Sequence, residues 1–347
     1  MGLSESGLRV GVAGLGYWGM RHVSVLRTIA EVSEVVGIDP LFGGESAYLS
    51  RGPRGLRVYR GIEDALLEID ALVIAVPAAM HYNLAMSAIA ARRHVLIEKP
   101  MACTFMEARQ LVNAAIQADV ILMVGHTFEY DLAIQRLREI VLDPSFGRLR
   151  HLEFAWLNFG IFREDVNVIF DLASHDVSIA NFIIGALPAS VAAWGSCHVR
   201  SGREDVAYLS LNYVDSDVAV HVHVSWIDPI RVRRIIAVGD EKTAVYDSLK
   251  KQRRIQVFNR PLPTDTLVDH PIATVNQSYN AASVIRISDT EPLAAEDRHF
   301  VECVINGHQA LTDGQSGARA VGVLECAQIS IRERRTVFLS EITNSLW

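Results

Sequence analysis

Along the first third of the chain the apolar residues gather into short, nearly continuous runs separated by stretches of helical spacing. The runs in "LRVGVAG", "VSEVVGIDP", "IDALVIAVP", "HVLIEKP" and "VILMVGH" read as strands, and the segments from about His81 to Ala91 and from about Thr104 to Ala118 read as helices. Strands that are apolar on both faces and alternate with helices imply a parallel sheet covered on both sides. Past about Gly125 the texture changes. After a helical stretch, "LAIQRLREIV", come long alternating runs: "RLRHLEFAWLNFG", "ASVAAWGSCHV", "DVAYLSLNYV" and "DVAVHVHVSWI". In the last of these Val218, Val220, Val222 and Val224 fall on one face, and Ala219, His221, His223 and Ser225 on the other. A period of two means a sheet with one buried and one more polar face, usually antiparallel. The predicted fold is therefore α/β, with a parallel-sheet domain over residues 1–125 and an α+β domain over residues 126–347 built on one large open, mostly antiparallel sheet.

Composition narrows the partners without changing this outline. At 347 residues the chain suits about two domains. Its net charge of −7 supplies no basic field for a phosphate backbone, so nucleic acid is not expected. Arg231, Arg233 and Arg234 read as a solvated rim. The four cysteines, Cys103, Cys197, Cys303 and Cys326, have no paired spacing and read as reduced thiols of the cytoplasm. No run approaches the roughly 20 apolar residues of a membrane span. A wide sheet face left in water is uncommon, so the open sheet is expected to form a homodimer or homotetramer interface.

The chemistry begins at "GLGYWG". Gly14, Gly16 and Gly19 satisfy G-x-G-x-x-G directly after a strand and at the start of a helix, and Asp39 follows 20 residues past Gly19 at the end of the next strand. In that context the pattern is a dinucleotide fingerprint, which makes the first domain a Rossmann domain: glycines permit a tight turn and close approach of the pyrophosphate, and the acid takes the ribose hydroxyls. Asp39 would repel a 2′-phosphate and Pro40 stands where an arginine would receive one, so NAD is favoured over NADP, with Arg51 and Arg60 the cations able to reach a phosphate. Tyr17, Trp18, Pro77 and His81 also fall where they could meet the dinucleotide.

"VLIEKPM" raises a second question, because only four of the 33 Lys and Arg residues are lysines and one of them, Lys99, follows a buried strand directly. A lysine is a compact donor whose pKa responds to its surroundings, which suits proton chemistry. Far downstream, in "NVIFDLASHDVSIANFIIG", helical spacing sets Asp171 and His175 one turn apart on one face, an arrangement that orients an imidazole. Asp176 falls among apolar neighbours and reads as a structural hydrogen-bonding carboxylate. His221 and His223 share a strand face but lack a third ligand, so no metal is expected.

Together the fingerprint, "VPAAMH", "RRHVLIEKPM", the D-x-x-x-H pair and the closing "EDRHFVECVINGHQALTDGQSGARAVGVLECAQISIRER" resemble the glucose-fructose oxidoreductase / inositol dehydrogenase / rhizopine catabolism (Gfo/Idh/MocA) family over essentially the whole chain. The resemblance implies oxidation or reduction of a ring secondary hydroxyl on a sugar, cyclitol or nucleotide sugar, with the branch acting on amino or nucleotide-linked sugars the nearest in look. It makes Lys99 the catalytic lysine and matches Asp171 and His175 to the family's downstream pair. His175 would take the hydroxyl proton, Lys99 would stabilise the oxygen, and which of the two is the final base stays open. Glu98 and Lys99 join the expected cofactor contacts; Lys99, Tyr130, Arg163, Asn167 and His175 are the expected substrate contacts. Two departures stand out: Arg92-Arg93 replace the family's frequent Gly-Lys, and "GHTFEY" replaces an arginine-bearing loop. The rival functions are a dinucleotide or sugar sensor of the same fold, and a redox-neutral epimerase or glycosidase that uses NAD transiently.

Overall fold

The computed structural model describes residues 7–41, 55–160, 162–214, 217–250, 254–259, 261–262, 282–288 and 290–343; Arg51, one of the cations considered for a phosphate, lies outside them. The first compact unit takes residues through Tyr130 and then Thr290–Gly322, and the second takes Asp131–Asp289 and Val323–Trp347.

In the first unit the strands are β1 (Leu8–Ala13), β2 (Val32–Ile38), β3 (Arg57–Tyr59), β4 (Ala71–Ile74), β5 (His94–Glu98) and β6 (Leu122–Gly125), with helices α1 (Tyr17–Leu26), α2 (Ile62–Leu66), α3 (His81–Ala90) and α4 (Phe105–Ala118) between them. They form one sheet in the order β3-β2-β1-β4-β5-β6, and every neighbouring pair is parallel. The order reverses beside β1, which opens a crevice at the carboxyl ends of the strands. Five segments leave the sheet at that edge: the glycine loop after β1, Asp39 after β2, Val76-Pro77 after β4, Lys99 after β5 and His126 after β6. Helix α4 starts on a capping box, in which the Thr104 hydroxyl accepts from the Glu107 amide and the Glu107 carboxylate accepts from the Thr104 amide, both at 3.2 Å.

The division at 125/126 read from the sequence shifts in two ways. The loop to Tyr130 stays with the first unit, and the chain returns there through α7 (Pro292–Asn306) and the first turns of α8 (Gly314–Glu333). The reason is burial: Phe300, Val301, Cys303 and Val304 of α7 enter the same core as Leu8, Val10, Leu15, Val23 and Leu26. The amide of Val124 also donates to Thr312 O at 2.8 Å, which ties the end of β6 to the returning segment.

The second unit holds α5 (Leu132–Leu142), β7 (Leu149–Phe159), α6 (Ser174–Ile184), β8 (Ser190–Ser196), β9 (Val206–Tyr213), β10 (Val218–Ser225), β11 (Ile227–Gly239), β12 (Lys242–Asp247), β13 (Ile255–Asn259), β14 (Ala282–Ile285), β15 (Val337–Phe338) and α9 (Leu339–Thr343). Among the described residues its nine strands run β14-β13-β12-β11-β7-β10-β9-β8-β15; β7 and β10 are parallel, and all other neighbours are antiparallel. The four valines of β10 are buried, and Ala219 and His221 lie on the exposed face. Ser225 departs from the alternation and is buried, its hydroxyl accepting from the Ile227 amide at 3.2 Å. The segment expected as one helix begins instead with a π turn at Ile169–Ala173 and becomes α-helical only at Ser174.

Candidate active site

The glycine loop is determined by what surrounds it. Gly14 has φ +85°, and a Cβ there would lie 2.5 Å from Ala75 O; a Cβ on Gly19 would lie 1.7 Å from Gly14 O. Packing therefore compels both. Among the described residues, and apart from its chain neighbours, a Cβ on Gly16 would meet no heavy atom within 4 Å, so the loop backbone is open there. Helix α1 starts there with no side-chain cap and no acidic residue in its first turn, leaving its amides and positive end for an anion. At the tip of β2, Asp39 accepts from Leu15 N at 2.9 Å and Leu41 N at 2.8 Å and stays half-exposed. Tyr17 and Trp18 are 57% and 39% exposed, with the Arg21 guanidinium 5.7 and 5.6 Å from their rings. This set fits a dinucleotide: an open backbone for the pyrophosphate and a fixed carboxylate for a ribose diol.

Two strands further along the edge, Glu98 of β5 pairs with Gly125 of β6, so the next residues out, Lys99 and His126, leave the sheet side by side. A Cβ on Gly125 would come within 3.2 Å of Glu98 Cα and its carboxylate, so any larger residue here would have to push the neighbouring strand aside by a few tenths of an ångström. Lys99 is half-buried. His126 is buried, and among the described residues neither of its ring nitrogens has a hydrogen-bond partner. Burial, followed by the charge of Lys99, pushes its pKa down to about 4, so the ring is uncharged at neutral pH. Pro77 is exposed after β4.

Three expected ligand contacts are engaged inside the protein. The ring nitrogens of buried His81 lie 2.8 Å from Pro100 O and 2.9 Å from Val76 O, so His81 ties the loop after β4 to the Lys99-Pro100 turn. Glu98 is buried; its Oε1 lies 3.2 Å from His22 Nε2, and its Oε2 accepts from the Lys99 amide at 3.2 Å. Tyr130, expected at the substrate, belongs instead to the core of the first unit, with its hydroxyl 3.2 Å from Thr312 Oγ1 and burial pushing its pKa up. His22 and Asp297, which sequence reasoning passed over, are 275 residues apart and 2.7 Å from each other. The local signal for His22 was its place three residues past Gly19, on the first turns of the nucleotide helix.

In the second unit the π turn presents Asp171. Its two oxygens accept from Arg163 Nε at 2.8 Å and from Trp226 Nε1 at 3.1 Å, which fixes the carboxylate from both sides. His175 packs against Trp156, with ring centroids 5.8 Å apart, and the Arg233 guanidinium lies 5.2 Å from the same indole. Arg233 is thus half-buried rather than part of a solvated rim, and burial with Arg231 pushes its pKa down to about 10. Asn167 acts on the backbone: its Oδ1 accepts from Phe170 N at 3.1 Å and its Nδ2 donates to Glu204 at 2.7 Å, and the residue is buried. Asp176 departs from the expected hydrogen-bonded carboxylate. It is fully buried, neither oxygen has a partner among the described residues, and burial raises its pKa well above the usual range.

Comparison with known proteins agrees with both units. Residues 8–126 match an oxidoreductase family with an NAD-binding Rossmann fold, and residues 134–245 match the GFO/IDH/MocA C-terminal domain. The chain is 26% identical over 326 residues to UDP-N-acetylglucosamine 3-dehydrogenase of Acidithiobacillus ferrooxidans, covering 93% of this chain and 97% of that one. To D-apiose dehydrogenase of Paraburkholderia graminis it is 27% identical over 350 residues, covering 95% and 89%. Among solved structures it superposes on the WlbA dehydrogenase of Bordetella pertussis, crystallised with NADH and UDP-GlcNAcA, with a TM-score of 0.79 at 20% identity, covering 97% and 99%. With a glycine loop shaped for a dinucleotide, a lysine at the carboxyl edge of the same sheet and matches in both units, the chain belongs to the GFO/IDH/MocA family of NAD-binding oxidoreductases.

Proposed function

We propose that this protein oxidises or reduces a ring secondary hydroxyl of a sugar derivative, nucleotide-linked or amino, with NAD as the partner. The observation that carries the reading is Lys99 leaving β5 at the edge that also bears the glycine loop and Asp39. Similarity over nearly the full length of a UDP-N-acetylglucosamine dehydrogenase supports the substrate class. Bound nicotinamide would supply the hydride acceptor. Lys99 would hydrogen-bond the substrate oxygen and stabilise the charge that grows there, and His175 would take the hydroxyl proton. Asp171, pinned by Arg163 and Trp226, would steady the imidazolium that results.

The test is the appearance of reduced nicotinamide when the protein is mixed with NAD and a panel of nucleotide sugars, amino sugars, aminoglycosides and inositols. Lys99→Ala is expected to lower kcat by roughly 10²–10⁴-fold on the active substrate while the Kd for NAD stays within a few-fold. Tight NAD binding with no turnover across the panel would turn the reading toward a sensor or a redox-neutral enzyme.

The same reading includes a homo-oligomer in the cytoplasm. Trp194, 59% exposed, and Tyr208, 47% exposed, stand on one face of the second sheet with centroids 5.9 Å apart, and His223 stacks on Tyr208 at 4.0 Å. A row of aromatic side chains on an open sheet suits a partner of the same kind. Among the described residues the four cysteines form no disulfide, in keeping with a reducing compartment.

A further inference from the structure

Three arginines stand close together on β11, and the alternation of the strand divides them. Arg234, on one side, reaches the Glu153 carboxylate at 3.8 Å. Arg231 and Arg233, two residues apart and so on the other side, make no side-chain hydrogen bond or ion pair among the described residues. Arg231 is exposed, whereas Arg233 turns inward: it is half-buried, its Nε has no partner, and its guanidinium lies 5.2 Å from the indole of Trp156, its cross-strand neighbour on β7. Arginine is seldom taken out of water without a partner. Burial and then the charge of Arg231 push the Arg233 pKa down to about 10, so the guanidinium is still charged at neutral pH.

The acids of this region do not answer that charge. Asp171 divides its two oxygens between Arg163 and Trp226. Asp176, on α6, is fully buried with no partner for either oxygen among the described residues, and burial raises its pKa well above the usual range, which favours the neutral acid. Two like charges side by side without a counter-ion repel each other, and an anion set against them would relieve that cost. The place is also the chemical one: His175 packs on the same indole as Arg233, with ring centroids 5.8 Å apart. We propose that Arg233, with Arg231, binds an oxyanion carried by the substrate, either the phosphate of a nucleotide-linked sugar or the carboxylate of an acidic sugar, and so selects such sugars against cationic amino sugars. The planar fork of a guanidinium matches either oxyanion with two parallel hydrogen bonds, and the ammonium of an amino sugar would be repelled. This inference deepens the function proposed above and rests on it for the reaction, though not for the binding.

The test is calorimetric binding to the full chain with NADH bound, which cannot accept a hydride, so that nothing turns over. The probes are UDP-N-acetylglucosamine, UDP, D-glucuronate, N-acetylglucosamine and glucosamine. Wild type is expected to bind an anionic probe about tenfold or more tightly than N-acetylglucosamine, and glucosamine most weakly. Tighter binding of UDP and its sugar identifies the phosphate as the oxyanion, and tighter binding of glucuronate identifies the carboxylate. Arg233→Gln should raise the Kd of that probe by roughly 10–100-fold, with Arg233→Lys in between, while the Kd for NADH and for N-acetylglucosamine stays within about twofold. On an anionic sugar that is oxidised, the same variant should raise KM and leave kcat within a few-fold. Arg231→Gln, at an exposed position, should give a smaller rise and takes the place of Arg233→Gln if that variant does not fold. Wild type with no preference for an anion overturns the proposal, as does a preference that the folded variant leaves unchanged. An uncharged sugar oxidised by a wild type that prefers no anion removes the proposal and leaves the function. An anion preference lost in Arg233→Gln, in a protein that reduces NAD with no sugar, removes the function and leaves the anion site.

Discussion

Gly16 and Gly19 are both glycines of one turn, yet the structure requires them for different reasons, and that difference can be measured. Gly19→Ala would force a methyl group against the Gly14 carbonyl oxygen, and is expected to lower unfolding stability without cofactor by about 1–3 kcal/mol or more in urea titration. Gly16→Ala adds a methyl group that, among the described residues and apart from its chain neighbours, meets no atom within 4 Å, so the same titration should leave it near wild type while its Kd for NAD rises about tenfold or more. A Gly16→Ala protein that bound NAD normally would show that the room has no bearing on the dinucleotide. The glycines, Asp39 and Lys99 were legible in the sequence because their meaning depends on short spacing from a strand end. For Tyr130, Asn167 and His81 the sequence left a ligand contact and a structural role both open, because a polar side chain does not announce whether it faces a ligand or a group of the protein. Their partners, Thr312, the Phe170 amide and two carbonyls, appear only with the fold. The link from His22 to Asp297 was beyond any local pattern.

Among the elements, α3 shows a local rule broken by one residue. Arg92, two residues past the end of that helix, has φ +55°, the left-handed conformation that glycine adopts without strain. Arg92→Gly should relieve that strain at some entropic cost in the unfolded chain, with a net gain of roughly 0.5–1 kcal/mol by thermal or urea unfolding; a loss would mean that the arginine side chain contributes more than its backbone costs. The strands were legible because periods of one and two are coarse signals, and both sheets follow from them. The π turn was not, since widening one turn by a single residue changes the apolar spacing too little to see. It nonetheless changes the site, because residues on either side of a five-residue turn no longer stack as in an α-helix. Asp171 sits within that turn, where Arg163 and Trp226 reach it from opposite sides.

At the scale of the whole molecule, the exposed aromatic row on the second sheet predicts association. The wild-type protein should sediment as a dimer or tetramer, and the double variant Trp194→Glu/Tyr208→Glu as a smaller species with unchanged helix and strand content. A wild-type monomer at micromolar concentration would exclude the sheet as a self-interface. The two-unit plan was readable from the change of period near residue 125, whereas the return of α7 to the first unit was not, because an apolar helix face does not state which core it will enter. That return has a consequence in time. The chain is made from its N-terminus at about 5–20 residues per second, yet the partner that completes the buried pairing of His22 comes from residue 297. Until it emerges, His22 has only Glu98 of its two carboxylate partners, while β7 to β14 of the second sheet are synthesised. The nucleotide-binding half is thus the first begun and among the last finished, and a fragment ending at Tyr130 is an unfinished domain rather than a small one.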